Sequence, residues 1–233
     1  MRVLVACEYS GRVRDSFSKL GWDAWSCDFE PTETAGQHYQ GDVKDMLSEH
    51  WDLMIAHPPC TYLSVSGMHW TTRGMRDPKL TEDALDFVRL LMNANVSSIA
   101  IENPISVIST KIRKPNQIIQ PWQFGENASK KTCLWLKNLP KLITDSTKIV
   151  PPRGWNKVQC IELEKKEGLV YTSVDGILFS AESFRKPVWD NQTDSGQNKL
   201  TPSAARWKER SRTYQGIAST MADQWNSYLN KGI

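Results

Sequence analysis

Roughly the first 105 residues of the chain alternate between short apolar runs and amphipathic segments. Four of these runs have the composition of buried β-strands, and they cover residues 2–6, 22–27, 52–56 and 98–101. A fifth and weaker run covers residues 132–136. Polar, glycine or proline residues follow the first four runs within a few positions, so the pattern predicts separate strands.

Two segments between these runs have helical periodicity. The first ends at Gly21, and the second, residues 80–93, has Thr81 as its predicted N-cap. Their apolar positions are Val13, Phe17 and Leu20 in the first segment, and Leu85, Val88, Leu91 and Met92 in the second. Strands that alternate with helices predict an α/β fold with a mostly parallel sheet and helices on both faces.

The chain changes character after residue 143. Residues 144–200 are rich in proline, glycine and polar residues, with short strand-like pieces only at 157–163 and 169–174. This composition predicts a small, β-rich insertion. A helical stripe near the end of the chain consists of Ile217, Met221, Trp225 and Leu229. We therefore predict one domain made of residues 1–143 and 201–233, interrupted by the insertion.

The charge of the chain is nearly balanced but unevenly distributed. The formal net charge is +3. Residues 111–141 carry seven basic side chains against one acidic, and residues 199–212 carry five against one. Two basic stretches on a near-neutral chain favour a surface that faces phosphates, and a merely solvated face is the alternative.

The five cysteines follow no disulfide or zinc-binding pattern, because the sequence has no Cys-x-x-Cys and no Cys/His cluster. No run of about 18 apolar residues is present, and the N-terminus enters a strand pattern at once. We therefore expect a cytoplasmic protein with reduced thiols, no metal and no membrane association.

One cysteine follows the third strand run at a stiff turn. The segment reads His57-Pro58-Pro59-Cys60, and the prolines restrict φ there. A lone cysteine is more often buried and inert, but ligands of parallel sheets bind beyond the carboxyl ends of the strands. Glu102 ends the next run and is expected at the same edge, with a turn or cap role as the alternative.

Together these two segments resemble the DNA cytosine-C5 methyltransferase family. Cys60 matches the Pro-Cys nucleophile of the family, and Glu102 matches the glutamate of its Glu-Asn motif. The order of motifs also agrees: a cofactor loop, an acid after the second strand, Pro-Cys, Glu-Asn, a variable insertion and a closing helix. The resemblance covers the first 140 residues and the tail from about Arg206, and it is closest to short phage- or prophage-type members with a reduced target-recognition region.

The resemblance implies a Rossmann-like fold that transfers a methyl group from S-adenosylmethionine to C5 of cytosine in double-stranded DNA. It also implies a bacterial or phage-infected cell and a role in DNA modification or restriction-modification. Cytosine C5 is a poor nucleophile until a thiolate, here that of Cys60, adds to C6. A protonated Glu102 in a desolvated pocket would supply the hydrogen bond or proton at N3. The target base has to leave the duplex to reach the site, so base flipping is expected.

The cofactor site is expected at the first two strand ends. The glycine-rich loop of the family matches residues 7–11, which contain one glycine. Asp28 matches the acid that binds ribose hydroxyls, and Asp42 resembles the acid near the adenine amino group, although each alone could be a turn residue. The resemblance predicts S-adenosylmethionine contacts, with S-adenosylhomocysteine as the product, from Glu8, Ser10, Gly11, Asp28, Phe29, Asp42, Val43 and Pro58.

DNA contacts are expected in the basic stretches and beside Glu102. Two lysines stand where the family usually has Gln-x-Arg-x-Arg, and lysine lacks the bidentate geometry of arginine. The predicted nucleic-acid-binding residues are Asn103, Lys130, Lys131, Thr132, Arg206, Arg210 and Arg212. The insertion is roughly half the length usual for the family, which predicts short or relaxed sequence specificity, since base reading needs several side chains in a groove. We expect a monomer.

Three other functions compete with this interpretation. Amino-methyltransferases of adenine N6 or cytosine N4 use Asp/Asn/Ser-Pro-Pro-aromatic, and residues 57–60 have the prolines but neither flanking residue type. A non-catalytic nucleic-acid-binding module would explain the single glycine of the cofactor loop and Gly216-Ile217-Ala218 in place of the family's closing Gly-Asn. Transfer of a group other than methyl is also compatible with the sequence.

Overall fold

The structure, a computed structural model, describes residues 1–158, 170–174, 177–181, 186–201, 203 and 206–231. The strands are β1 (Arg2–Ala6), β2 (Asp23–Asp28), β3 (His38–Gln40), β4 (Leu53–Ala56), β5 (Ser98–Pro104), β6 (Gln117–Ile119), β7 (Thr132–Lys137), β8 (Asn156–Val158), β9 (Val170–Val174) and β10 (Ile177–Ala181). The helices are α1 (Arg12–Ser18), α2 (Val43–Met46), α3 (Val65–Thr72), α4 (Lys79–Met92), α5 (Ile108–Lys111), α6 (Arg206–Ser211) and α7 (Gln215–Asn230), with a 3₁₀ turn at Pro121–Phe124.

The main sheet has seven strands in the order β3-β2-β1-β4-β5-β7-β6. Strands β1 to β5 pair in parallel, while β7 runs antiparallel to both of its neighbours, β5 and β6. The strand order reverses between β1 and β4, and in open α/β sheets the crevice at such a reversal is where ligands bind. The predicted Rossmann-like α/β fold with a mostly parallel sheet is confirmed.

Helices cover the sheet through apolar stripes. Leu85, Val88 and Leu91 of α4 lie in one core cluster with residues of β1, β4 and β5. Val13 and Phe17 of α1 are buried outside that cluster, and α1 packs on β1 and β2. The stripe of α7 is largely buried, as the sequence pattern predicted.

The N-cap predicted for α4 is wrong. The helix begins at Lys79, two residues before Thr81, because the Asp77 carboxylate accepts a hydrogen bond from the Lys79 amide (2.9 Å) and Pro78 takes a helical φ of −55°. Thr81 is therefore inside the helix, where its hydroxyl donates to the carbonyl of Tyr62 (3.2 Å). The side chain that was expected to begin the helix instead ties it to the loop that carries Cys60.

The chain forms two compact units. The first consists of residues 1–119, 131–142 and 217–233, and the second of residues 120–130 and 143–216. The second unit therefore includes segments on either side of the insertion expected at 144–200. Its sheet has the order β8-β10-β9, and its core consists of Trp122, Ile149, Trp155, Phe179 and Trp189. Parts of both strand pieces expected here, residues 159–163 and 169, lie outside the described residues.

Candidate active site

Cys60 lies in the loop that follows β4, at the reversal of strand order. The His57 amide donates to the carbonyl of Ala6 at the end of β1 (2.9 Å), which fixes the start of the loop. The loop then turns back on itself, because the carbonyl of Cys60 accepts hydrogen bonds from the amides of Leu63 (3.1 Å) and Ser64 (2.9 Å). Cys60 itself is exposed. The structure thus presents this cysteine to solvent at the carboxyl edge of the sheet rather than sealing it in the core.

The end of β5 holds the Cys60 loop from the neighbouring strand. Parallel pairing places Ala56 of β4 opposite Ile101 of β5, so Glu102 of β5 lies beside His57, the first residue of the loop. The Asn103 side-chain amide donates to the carbonyl of Pro58 (2.7 Å). Further along, the Val107 amide donates to the carbonyl of Leu63 (3.0 Å). The two predicted catalytic residues, Cys60 and Glu102, are therefore on adjacent and directly connected strand ends.

The Glu102 carboxyl has a partner that the sequence interpretation did not assign. Its Oε2 lies 2.8 Å from Nδ1 of His57, and the side chains of His57 and Glu102 are only 7% and 12% exposed. The other ring nitrogen of His57, Nε2, is buried and has no hydrogen-bond partner among the described residues. Glu102 is thus desolvated, as the proposed role at a cytosine ring requires, and a buried imidazole fixes one of its oxygens.

The loop after β1 is where the glycine-rich loop was expected. Its polar side chains form hydrogen bonds within the loop and with the start of α1. The Glu8 carboxylate is 4% exposed and accepts from the amides of Val13 (2.8 Å) and Arg14 (3.3 Å) and from the hydroxyl of Ser10 (3.1 Å). Glu8 thus acts as a cap for α1, favoured by the partial positive charge at the helix N-terminus. The cofactor contacts of Glu8 and Ser10 stay predictions. They would have to come from atoms of these residues that are not used in the hydrogen bonds above.

Gly11 has a structural reason to be glycine. It caps α1 with φ of +73°, a conformation that disfavours side chains, and a Cβ there would clash with the Thr34 hydroxyl and with Arg14. Arg14 is fully buried, and its guanidinium donates to Ser26, Thr32 and Thr34. Sequence reasoning missed this arginine, which packs the loop after β2 against α1, because a charged side chain at a helical position normally indicates the exposed face.

The ends of β2 and β3 carry the most accessible of the predicted cofactor residues. Burial raises the pKa of the Asp28 carboxyl, and its Oδ1 accepts from the amide of Glu30 (3.0 Å). Phe29 is 73% exposed, which is unusual for a phenylalanine and leaves its ring open to stacking. Asp42 caps α2 through the Lys44 amide (3.0 Å), while the side chain of Val43 belongs to the core.

The side chains beyond β2 and β3 can be compared with the chemical groups of S-adenosylmethionine. A carboxylate at Asp28 offers two acceptor oxygens for ribose hydroxyls, and an exposed ring at Phe29 offers a stacking surface for adenine. The partly exposed carboxylate of Asp42 is a second acidic group that can accept hydrogen bonds from the cofactor. Val43 and Pro58 are buried, so any contact from them would use the backbone. The residues beyond β2 and β3 thus fit the cofactor better than the capped loop after β1.

Two of the residues predicted to contact DNA are buried. Asn103 is 1% exposed and its amide is bound to Pro58, and Thr132 is 3% exposed. The DNA contacts of these two residues stay predictions. Thr132 is buried because β7 pairs on both sides, opposite Pro104 of β5 and Ile119 of β6.

The remaining basic candidates differ in accessibility. Lys131 and Arg210 are exposed. Lys130 donates from Nζ to the carbonyl of Arg210 (2.9 Å), and Arg212 forms an ion pair with Glu209 (2.5 Å). The side chain of Arg206 is partly buried. Their DNA contacts stay predictions, and Lys131 and Arg210 are the most accessible of the set.

Two further features bear on the expected partners. Within the described residues, no group of three or more histidine, cysteine, aspartate or glutamate side chains is arranged to hold a metal ion. Over the same residues, no helix combines the length and hydrophobicity that a membrane crossing requires.

Comparisons with known proteins give structural likeness at low sequence identity. A prophage-encoded DNA modification methyltransferase of E. coli is similar at 13% identity and a TM-score of 0.42, with 83% of this chain and 62% of that chain covered. The Entamoeba histolytica methyltransferase EhMeth is similar at 16% identity and a TM-score of 0.45, with 65% of this chain and 58% of that chain covered. WbdD, solved with a kinase inhibitor, is similar at 11% identity and a TM-score of 0.36, with 77% and 55% covered.

The chain spans 55 to 62% of the length of these three structures. No protein-family model matches the chain, and no curated protein sequence matches it. The function of the protein is therefore inferred from the residues of the site.

Proposed function

We propose that the protein is an S-adenosylmethionine-dependent DNA cytosine-C5 methyltransferase with Cys60 as nucleophile and Glu102 as the acid at N3. The observation that carries this proposal is the pairing of an exposed thiol with a desolvated carboxyl on adjacent strand ends. The hydrogen bond from Asn103 to the Pro58 carbonyl holds the two strand ends together. A nucleophile and an acid that are fixed by the same rigid sheet edge can act on one small ring.

Each of these side chains has a defined part in the reaction. The Cys60 thiolate forms a bond to C6 of the flipped cytosine, and the electron pair of the C5–C6 double bond moves into the ring towards N3. Glu102 donates a hydrogen bond or a proton at N3, which stabilises the charge that develops there. When bound, S-adenosylmethionine supplies the methyl group as an electrophile for C5. After a base removes the C5 proton, the bond to Cys60 breaks and the thiolate is regenerated.

The surroundings of the two residues support this assignment of roles. Asp28, Phe29 and Asp42 would hold the cofactor beyond β2 and β3, where they are the most accessible of the predicted contacts. The second unit would supply a reduced target-recognition region, and the exposed Lys131 and Arg210 would contact DNA phosphates. Double-stranded DNA as substrate, a monomeric enzyme and a cytoplasmic site in a bacterial or phage-infected cell belong to the same proposal.

The decisive experiment identifies the modified nucleoside. Purified protein is incubated with unmodified double-stranded DNA and S-adenosylmethionine, and the digested DNA is analysed by mass spectrometry. We expect 5-methylcytosine from the unaltered protein and none from Cys60→Ala, while Cys133→Ala, which removes a buried thiol, should still form it. DNA with 5-fluorocytosine in place of cytosine should trap a covalent adduct, because the fluorine cannot leave as a proton does.

Three results would contradict the proposal. Formation of N4-methylcytosine or N6-methyladenine that survives Cys60→Ala would indicate an amino-methyltransferase. DNA binding without cofactor binding or turnover would indicate a non-catalytic module. A product heavier than 5-methylcytosine would indicate transfer of another group.

A further inference from the structure

The buried pair of His57 and Glu102 is the feature of the site that the proposed reaction leaves unexplained. The two residues are 45 positions apart in the sequence, and their side chains are about nine-tenths buried. His57 immediately precedes the two prolines that lead to Cys60, and its backbone amide is fixed by Ala6. The imidazole is therefore held by the same loop that carries the nucleophile, and it touches the acid.

The burial of the ring determines where its proton lies. A doubly protonated His57 would place a charge and an Nε2–H donor in a buried position without a partner, which is costly. A proton on Nε2 alone would leave the same donor unsatisfied. A proton on Nδ1 alone leaves only a neutral acceptor lone pair without a partner, and buried unsatisfied acceptors are tolerated better than buried N–H groups. The burial of Nε2 therefore favours a proton on Nδ1, the nitrogen that lies 2.8 Å from Oε2 of Glu102.

We infer that His57 is a positioning residue for the acid: its Nδ1–H holds Oε2 of Glu102 and so orients Oε1 towards N3 of the target cytosine. This inference rests on the proposed function. A carboxylic acid has one proton to give, and a donor fixed at Oε2 keeps that proton on Oε1. In the addition step the Oε1 proton moves to or towards N3 and returns when Cys60 leaves. His57 keeps its own proton throughout, so the proton count of the pair is unchanged after each turnover.

Three substitutions separate a positioning role from simple filling of space. His57→Asn keeps a donor near the place of Nδ1, His57→Gln moves the donor to the place of Nε2, and His57→Phe keeps a ring without any donor. We expect kcat to fall by about 10²-fold in His57→Gln and His57→Phe, since misorientation of a catalytic group by about 1 Å has effects of that size. His57→Asn should recover at least tenfold of this loss. KM for S-adenosylmethionine and DNA affinity should change less than about twofold in all three.

A matched control exists at the other end of the same strand. His50 precedes β4, and its Nε2 lies 3.3 Å from Asp52, but its side chain is 79% exposed. His50→Phe should leave kcat unchanged, because that histidine–carboxylate pair is remote from the strand ends that carry Cys60 and Glu102. If His57→Gln is as active as His57→Asn, or if all three His57 variants match the unaltered protein, the inference is overturned. A purely structural role would instead lower Tm and activity equally in all three variants.

A second measurement does not depend on catalysis. The protein has four histidines, and the ring nitrogens of His57 can be assigned in a ¹⁵N NMR spectrum by comparison with His57→Asn. Near pH 7.5 we expect the neutral tautomer with its proton on Nδ1. An imidazolium, or a proton on Nε2, would overturn the inference even in an active enzyme. If the unaltered protein forms no 5-methylcytosine but shows the expected tautomer, the proposed function fails while the structural assignment of His57 stands.

Discussion

Substitution of Asn103 tests how the Cys60 loop is held in place. Asn103 is 1% exposed, and its side-chain amide donates to the Pro58 carbonyl over 2.7 Å. Asn103→Leu preserves most of the volume and removes the donor, which leaves a buried carbonyl without its partner at a cost of about 1–3 kcal/mol. Oδ1 of Asn103 is itself buried without a partner among the described residues. The substitution removes that unsatisfied atom too, so we expect a net loss of about 1–2 kcal/mol.

Thermal unfolding followed by circular dichroism measures this loss. In a chain of this size, each kcal/mol lowers Tm by about 2–4 °C. Asn103→Asp should be worse than Asn103→Leu, because it places a buried carboxylate against the Pro58 carbonyl. Asn93→Leu is the matched control: its amide also donates to a backbone carbonyl, that of Arg89 at 2.8 Å, but it is exposed. We expect the control to change stability by less than about 0.5 kcal/mol. Equal effects of the two leucine substitutions would refute the assignment of Asn103 as a buried clamp.

Four further predictions concern the thiols, the cofactor and DNA. Near pH 8, iodoacetamide should label the exposed Cys60 before Cys27 and Cys133. The reason is that burial raises the pKa of the Cys27 thiol to about 12 and that of the Cys133 thiol to about 11. Equal labelling rates of the three cysteines in peptide mass spectrometry would contradict this. In the unfolded chain these two thiols ionise near the ordinary cysteine pKa of about 8.5, whereas burial keeps them protonated in the folded chain. The free energy of unfolding should therefore fall as pH rises from about 9 towards about 11. A free energy of unfolding from urea titrations that stays constant over this range would contradict the prediction. Asp28→Asn should weaken S-adenosylmethionine binding by about 10- to 100-fold in calorimetry, since a charge-assisted hydrogen bond is lost, and unchanged affinity would exclude the ribose contact. Lys131→Ala should reduce the salt dependence of DNA binding, the slope of log affinity against log salt, by about one in fluorescence anisotropy, and an unaltered slope would exclude a phosphate contact.

Local pattern was sufficient to predict the parts of the site that depend on single strand ends. The apolar runs placed Cys60 after the strand that is β4 and Glu102 at the end of the run that begins β5, because strand period and proline positions are local features of the sequence. The burial of Asn103 and Thr132 could not be predicted in this way. Both are buried by the antiparallel insertion of β7 between β5 and β6, which places Asn103 opposite Cys133. Strand order is a non-local property. The local sequence around a polar residue therefore does not distinguish one that is buried by a neighbouring strand from one that is exposed.

His57 shows what one non-local fact adds to the sequence. Before the strand order is known, this residue only distinguishes the segment from the Asp/Asn/Ser-Pro-Pro-aromatic pattern of amino-methyltransferases. The parallel register of β4 and β5 places Ala56 opposite Ile101. In a parallel pair the residues that follow two opposed positions also lie side by side, so His57 and Glu102 become neighbours on one face of the sheet. The contact between them therefore follows from the same strand adjacency that brings Cys60 and Glu102 to one edge of the sheet.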